Sequence, residues 1–267
     1  MTNRLPDYSV HGQGETTVFL LHGAFGAKEY WRTQIQALTH GGYRVVAWDA
    51  PGYGISPMPE GFNVEYAAAR CVDLVRATGS DTNILLGHSM GGMIAQRAFD
   101  YAPDLVNGLI LSATSAAFGG KGGDWQKTFV KERVAPLDAG QTIPEYAPKM
   151  LRKMMHQNAQ GAEVELVIGT VSLMREETFR AAIQAVSEFE GRDIIPKMNA
   201  HKLPVQCIAG ELDLSAAPPE VMRKLADKID AADFTCMMGV GHFAWAEAPL
   251  EFNAIVLGFL ARRFSVK

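Results

Sequence analysis

The sequence predicts an α/β fold: a mostly parallel central sheet with helices on both faces, interrupted by an inserted helical cap. Three observations lead there. Continuous apolar runs alternate with amphipathic stretches over the first 115 residues, and the same alternation returns after residue 200. Between them lies a segment with several helical patterns and no convincing strand. A strand covered on both faces must be apolar on both, so it reads as an unbroken run rather than as an alternation of period two.

In chain order the first run is TVFLLHG, followed by a helical pattern over 29–38. YRVVAWD, a helix over 64–76, NILLGHS, a helix opening near Met90 and NGLILSAT continue the rhythm. It resumes with LPVQCIAG, a helix over 219–228, DFTCMMG and a closing helix over 250–264. The expected organisation is a core formed by 1–115 and 201–267, with 116–200 as the cap. Inside the cap, Phe179, Ala182, Ile183, Val186 and Phe189 recur at helical spacing. Pro136, Pro144, Pro148 and Gly161 are expected to divide it into short helices, with the pairs Gly119-Gly120 and Gly122-Gly123 as a flexible approach suited to a lid. The methionine cluster around Met150 reads as a packing face, because Met fills irregular gaps.

With 267 residues and 48% hydrophobic content, the chain can bury one large core. Lys and Arg number 25 against 29 Asp and Glu, a formal charge of −4, with no basic run to follow a phosphate backbone. No nucleic-acid partner is expected. No apolar stretch approaches the roughly 18 residues of a membrane span, and the first residues lack the apolar segment of a signal peptide. A cytoplasmic protein without membrane attachment is expected. Cys71, Cys207 and Cys236, an odd number without close spacing, read as buried thiols of a reducing compartment. No metal motif is present, and DAPGYGIS lacks the Gly-Lys-Ser/Thr of a phosphate loop, so neither metal nor cofactor is expected.

ILLGHSMGGM at 84–93 carries the chemistry. A serine in a sharp turn between strand and helix needs small residues two positions to either side, which Gly87 and Gly91 supply. Serine attacks a carbonyl only if a base removes its proton, so Ser89 requires a histidine and an orienting carboxylate. Of seven histidines, His242 sits in a loop, GVGHFAWAEAP, between a late strand and the last helix. For the acid, Asp213 follows the run VQCIAG and would emerge at a strand's carboxyl end, where parallel sheets place ligands. Asp49 in AWDAPGYG is its rival.

Four stretches, HGAF at 22–25, DAPGYGIS at 49–56, GHSMGG at 87–92 and the pair GELD with GHFAWAEAP, closely resemble the α/β-hydrolase family over nearly the whole chain. The order Ser89, Asp213, His242 is the one this family uses. The resemblance gives Asp49 a structural role in its turn. It implies an oxyanion hole built from the N–H groups of Met90 and Ala24, with Phe25 in reserve. His22 and His88 read as packed, hydrogen-bonded supports, and His11, His40, His156 and His201 as surface residues.

Within the family the chain is most similar to the enol-lactone hydrolases and ring-fission-product hydrolases of aromatic degradation, which act on small carboxylated molecules. The carbon–carbon-cleaving branch commonly has Asn before the nucleophile and Trp after the histidine, where this chain has His88 and Phe243. The resemblance therefore implies a serine hydrolase of a small ester or lactone, with a C–C bond hydrolase as the alternative. A small-molecule receptor on the same fold and a cofactor-free haloperoxidase activity are the readings of other kinds. Phe25, His88, Trp125, Phe129, Phe243 and Trp245 are the expected pocket side chains, with Phe118 as a further wall. Lys149, Arg152, Arg175 and Arg180 are the cations a carboxylate would want, although a solvated helix face is the plainer reading of them. Monomer and homodimer both fit the sequence.

Overall fold

The computed structural model describes residues 5–118, 123–214 and 217–264. Seven strands form one sheet in the order β1-β3-β2-β4-β5-β6-β7. These are β1 (Tyr8–His11), β2 (Thr16–Leu21), β3 (Arg44–Trp48), β4 (Thr82–His88), β5 (Gly108–Ser112), β6 (Val205–Gly210) and β7 (Ala232–Met237). All neighbours are parallel except β1 against β3, where Tyr8 faces Trp48 and His11 faces Val45. The central strands β2, β5 and β6 are buried from end to end, which is why they read as continuous apolar runs. β1 has no such signal, because a short, half-exposed edge strand needs no apolar run.

Helices α1 (Arg32–His40), α2 (Val64–Thr78) and α3 (Met90–Tyr101) connect the first five strands, and α9 (Pro219–Ala226), α10 (Ala244–Glu247) and α11 (Pro249–Arg263) serve the end of the chain. The chain steps from β2 to β3 in one direction and from β3 to β4 in the other. Right-handed crossovers then put α1 and α2 on opposite faces. The expected helix over 29–38 starts as a 3-10 turn, Lys28–Trp31, whose Tyr30 and Trp31 are both turned into the core.

The connection between β5 and β6 holds α4 (Asp124–Asp138), α5 (Ile143–Arg152), α6 (Ala162–Ser172), α7 (Glu176–Glu188) and α8 (Ile195–Ala200). Pro144 and Gly161 stand at helix starts as expected, but α4 runs through Pro136 and α5 through Pro148. Each proline removes one N–H from its helix without ending it. The apolar stripe Phe179, Ala182, Ile183, Val186, Phe189 is buried along α7 and the residue after it. Gly119, Gly120 and Gly122 lie outside the described residues. No described helix is long and apolar enough to cross a membrane. Cys71 and Cys207 are buried, and burial lifts the Cys207 thiol to about 12. Cys236 is half-buried because it sits on the edge strand β7.

Candidate active site

Strand order reverses direction at β2, so the carboxyl ends of β2 and β4, paired through Leu21 and Gly87, form a switch point of the sheet. Ligands of open α/β sheets collect at such crevices. HGAF leaves the end of β2 and GHSMGG leaves the end of β4 at this point.

Ser89 joins β4 to α3 with φ 54° and ψ −118°, a left-handed conformation that costs a non-glycine residue about 1–3 kcal/mol. The surroundings impose it. Ser89 N–H donates to the Ser112 carbonyl at 2.8 Å, and Thr114 Oγ1 donates to the Ser89 carbonyl at 2.8 Å. A methyl group on Gly91 would stand 2.0 Å from the Leu21 carbonyl oxygen, and one on Gly87 2.3 Å from the Gly91 oxygen. Neither backbone can retreat, so the two glycines are sterically required.

Asp213 lies just beyond β6, completely buried, and His242 beyond β7 is 1% exposed. His242 Nδ1–H donates to Asp213 Oδ2 at 2.6 Å, which leaves Nε2 as the ring's acceptor. The His242 ring sits 4.8 Å from that of His88, the residue immediately before Ser89. Sheet order thus gathers residues more than a hundred positions apart.

Glu247, on α10, holds the histidine loop. Its Oε2 accepts from Gly241 N–H at 3.0 Å and its Oε1 from Phe243 N–H at 3.1 Å, one residue to either side of His242. The same Oε2 accepts from His156 N–H at 2.7 Å, and His242 N–H donates to the Met154 carbonyl at 2.8 Å. The segment after α5 is therefore bonded directly to the imidazole's backbone. Sequence reading passed over Glu247, although its place five residues after a candidate histidine in a loop was a usable signal.

The HGAF turn is equally fixed. His22 Nε2 accepts from Ala50 N–H at 3.0 Å while its Nδ1–H donates to the Gly23 carbonyl at 2.8 Å, which defines a neutral ring in one tautomer. Burial lowers its pKa further. Tyr30 Oη accepts from Gly23 N–H at 2.8 Å, and Tyr53 Oη donates to the Ala24 carbonyl at 2.9 Å. These tyrosines carried no motif, because their role exists only once two loops meet. Asp49 accepts from Lys28 N–H and pairs with Lys28 Nζ at 2.7 Å, so its carboxylate is engaged in the turn. His88 differs from His22: both ring nitrogens are buried without a hydrogen bond of normal geometry, and the ring packs against His242, Phe243 and Trp245. Burial first, then the neighbouring His242 and His22, hold its pKa well below the ordinary imidazole range.

A cavity of about 30 Å³ opens beside Ser89, room for little more than a water. Phe25 and Phe129, from the expected set, line it together with Phe118. Met93, Met154, Ile183 and Val186 also line it, three of them from the inserted segment. The other four expected side chains lie elsewhere. Trp245 is fully buried against Trp31 and Tyr30, because the short α10 turns it inward. Phe243 and His88 pack on each other behind the imidazole, and Trp125 is 57% exposed on the outside of α4. Arg152, Arg175 and Arg180 are occupied by Glu165, by the Gly52 carbonyl and by Asp138 with Glu176, respectively. Among the described residues no three His, Cys, Asp or Glu side chains cluster as a metal site requires.

A strained serine at a strand-to-helix turn and a buried Asp–His pair lie beyond the carboxyl ends of strands of one largely parallel sheet. Residues 18–255 match the α/β hydrolase family, and the chain belongs to it. A protein of Stutzerimonas stutzeri named as a carbamate hydrolase, RutD, is 32% identical over 286 residues, covering 96% of this chain and 97% of its own. The pimeloyl-[acyl-carrier protein] methyl ester esterase of Serratia marcescens is 28% identical over 272 residues, covering 94% and 96%. In fold, the enol-lactonase of Burkholderia xenovorans LB400 superposes with a TM-score of 0.82 at 21% identity, covering 95% of each chain.

Proposed function

We propose that the protein is a serine hydrolase of a small carboxylic ester or lactone, acting through an acyl-enzyme. The observation that carries this reading is the buried Asp213–His242 bond of 2.6 Å, with the imidazole packed 4.8 Å from the ring of His88, the residue before a strained serine. Ser89 Oγ attacks the carbonyl carbon as its proton passes to His242 Nε2, and Asp213 stabilises the imidazolium that forms. The negative oxygen of the tetrahedral intermediate is received by the N–H groups of Met90 and Ala24. Met90 is the first residue of α3, so its N–H has no acceptor within the helix. The leaving alkoxide takes the proton from His242, and water activated by the same ring releases the acid.

Residues 116–200, with helices α4 to α8, serve as the cap in this reading. A cavity of about 30 Å³ cannot hold an ester, so the cap must part from the core to admit one. The relatives named for a carbamate and for a methyl ester support cleavage of an acyl–heteroatom bond rather than a C–C bond. Wild-type protein is expected to hydrolyse short p-nitrophenyl esters and to react with a fluorophosphonate probe, and Ser89→Ala to lose both while keeping its circular dichroism. Near wild-type turnover in Ser89→Ala would overturn the assignment.

A further inference from the structure

The inserted helices carry five arginines, and four of them are in ion pairs: Arg152 with Glu165, Arg175 with Glu177, Arg180 with Asp138 and Glu176, and Arg192 with Glu190. Arg133 is the exception. Among the described residues no carboxylate pairs with it; its guanidinium carbon lies 4.7 Å from the centre of the Phe129 ring, one helical turn away on α4. It is half-buried, and among the described residues it is the one charged side chain lining the cavity at Ser89. The other polar wall groups are already engaged, Thr114 with the Ser89 carbonyl and Ser115 with that of Ala117.

A guanidinium at the edge of an apolar cavity is costly to shield from water unless an anion meets it. Its fork of N–H groups matches the two oxygens of a carboxylate, and the stack on Phe129 holds the plane in place. One unit of positive charge balances one carboxylate. A phosphate monoester, with about 1.5–2 negative charges at neutral pH, would remain partly uncompensated among apolar walls.

We infer that Arg133 receives a carboxylate on the substrate, so that the ester or lactone opened at Ser89 derives from an acid with a second, ionised carboxyl group. This rests on the serine-hydrolase reading above. The test compares kcat/KM for p-nitrophenyl hydrogen glutarate with that for neutral p-nitrophenyl valerate. Wild type is expected to favour the anionic ester at least tenfold, on the order of 1.4 kcal/mol. The ratio should fall at least tenfold in Arg133→Gln, recover in part in Arg133→Lys, and stay unchanged in Arg180→Gln, whose side chain is paired. A wild-type ratio at or below one, or an equal ratio in wild type and Arg133→Gln, overturns the inference. A second arm needs no turnover: glutarate binding to Ser89→Ala, followed by calorimetry, should weaken at least tenfold when Arg133→Gln is added. Loss of ester cleavage and of probe labelling with that binding intact removes the hydrolase reading alone. Cleavage with an unchanged ratio removes the role of Arg133 alone.

Discussion

Two regions meet at Ser89 and are held there by different forces. The loops at the carboxyl ends of β2, β4, β6 and β7 are fixed by buried, directional bonds: His22 to Ala50 and Gly23, Tyr53 to Ala24, Thr114 to Ser89, Asp213 to His242, and Glu247 to the backbone on either side of His242. The side of the cavity formed by the inserted helices is mostly apolar, with Phe129, Met154, Ile183 and Val186 packed there, and the ion pairs of those helices lie largely at the solvent surface. Buried polar networks tolerate almost no displacement, because a half-satisfied member costs the full desolvation of its partner. Apolar packing is non-directional and can be rearranged at modest cost. One region holds its side chains still, as the proposed hydrolysis requires, and the other can shift or vary its shape.

Substitutions should separate the two regions by size of effect. Asp213→Asn keeps the shape and removes the charge that holds the His242 tautomer; kcat should fall by roughly 10⁴, on the order of 5 kcal/mol. A loss under tenfold would show that another acid serves the ring. Gly91→Ala should cost more than about 4 kcal/mol in stability or prevent folding, since the new methyl meets the backbone at 2.0 Å. Soluble expression and urea midpoints would decide it.

Glu247→Gln should lower kcat about 10–100-fold with little change in KM. The amide can no longer accept from all three N–H groups around His242. A change in KM alone would assign Glu247 to binding instead.

Stability should also depend on pH in a stated direction. His22 and His88 are held neutral by burial, with folded pKa values below those of the unfolded chain. Below about pH 6.5 the unfolded chain binds protons that the folded one refuses, so stability falls as pH drops. Between pH 7.5 and 5.5 each histidine contributes up to about 1.4 kcal/mol of loss. Urea titrations of wild type and His88→Asn should show a smaller loss in the variant; equal losses would mean the folded ring titrates normally. The smallest change is expected from the apolar wall, where Ile183→Val should cost about 0.5–1.5 kcal/mol and leave kcat within a few-fold.

The same division explains what was legible in the sequence. Strands β2 to β6 and the serine turn were readable because each depends on a local property: an unbroken apolar run, or two glycines flanking a serine. The α7 stripe was readable for the same reason. The Asp213–His242 pair was approachable through its positions after strands, Glu247 only through its place shortly after a candidate histidine, and Tyr30 and Tyr53 carried no local pattern at all.

By itself the sequence determined the layered α/β architecture and the strained turn at Ser89, since hydrophobic period and steric room are set by neighbours along the chain. Tertiary structure alone decided which side chains enclose the cavity. It sent Trp245 into the core and Trp125 to the surface, and set Arg133 against the ring of Phe129 with no ion pair among the described residues. The direction a side chain takes on a packed helix depends on the helix it meets. That partner lies far away in sequence, and only folding brings it near.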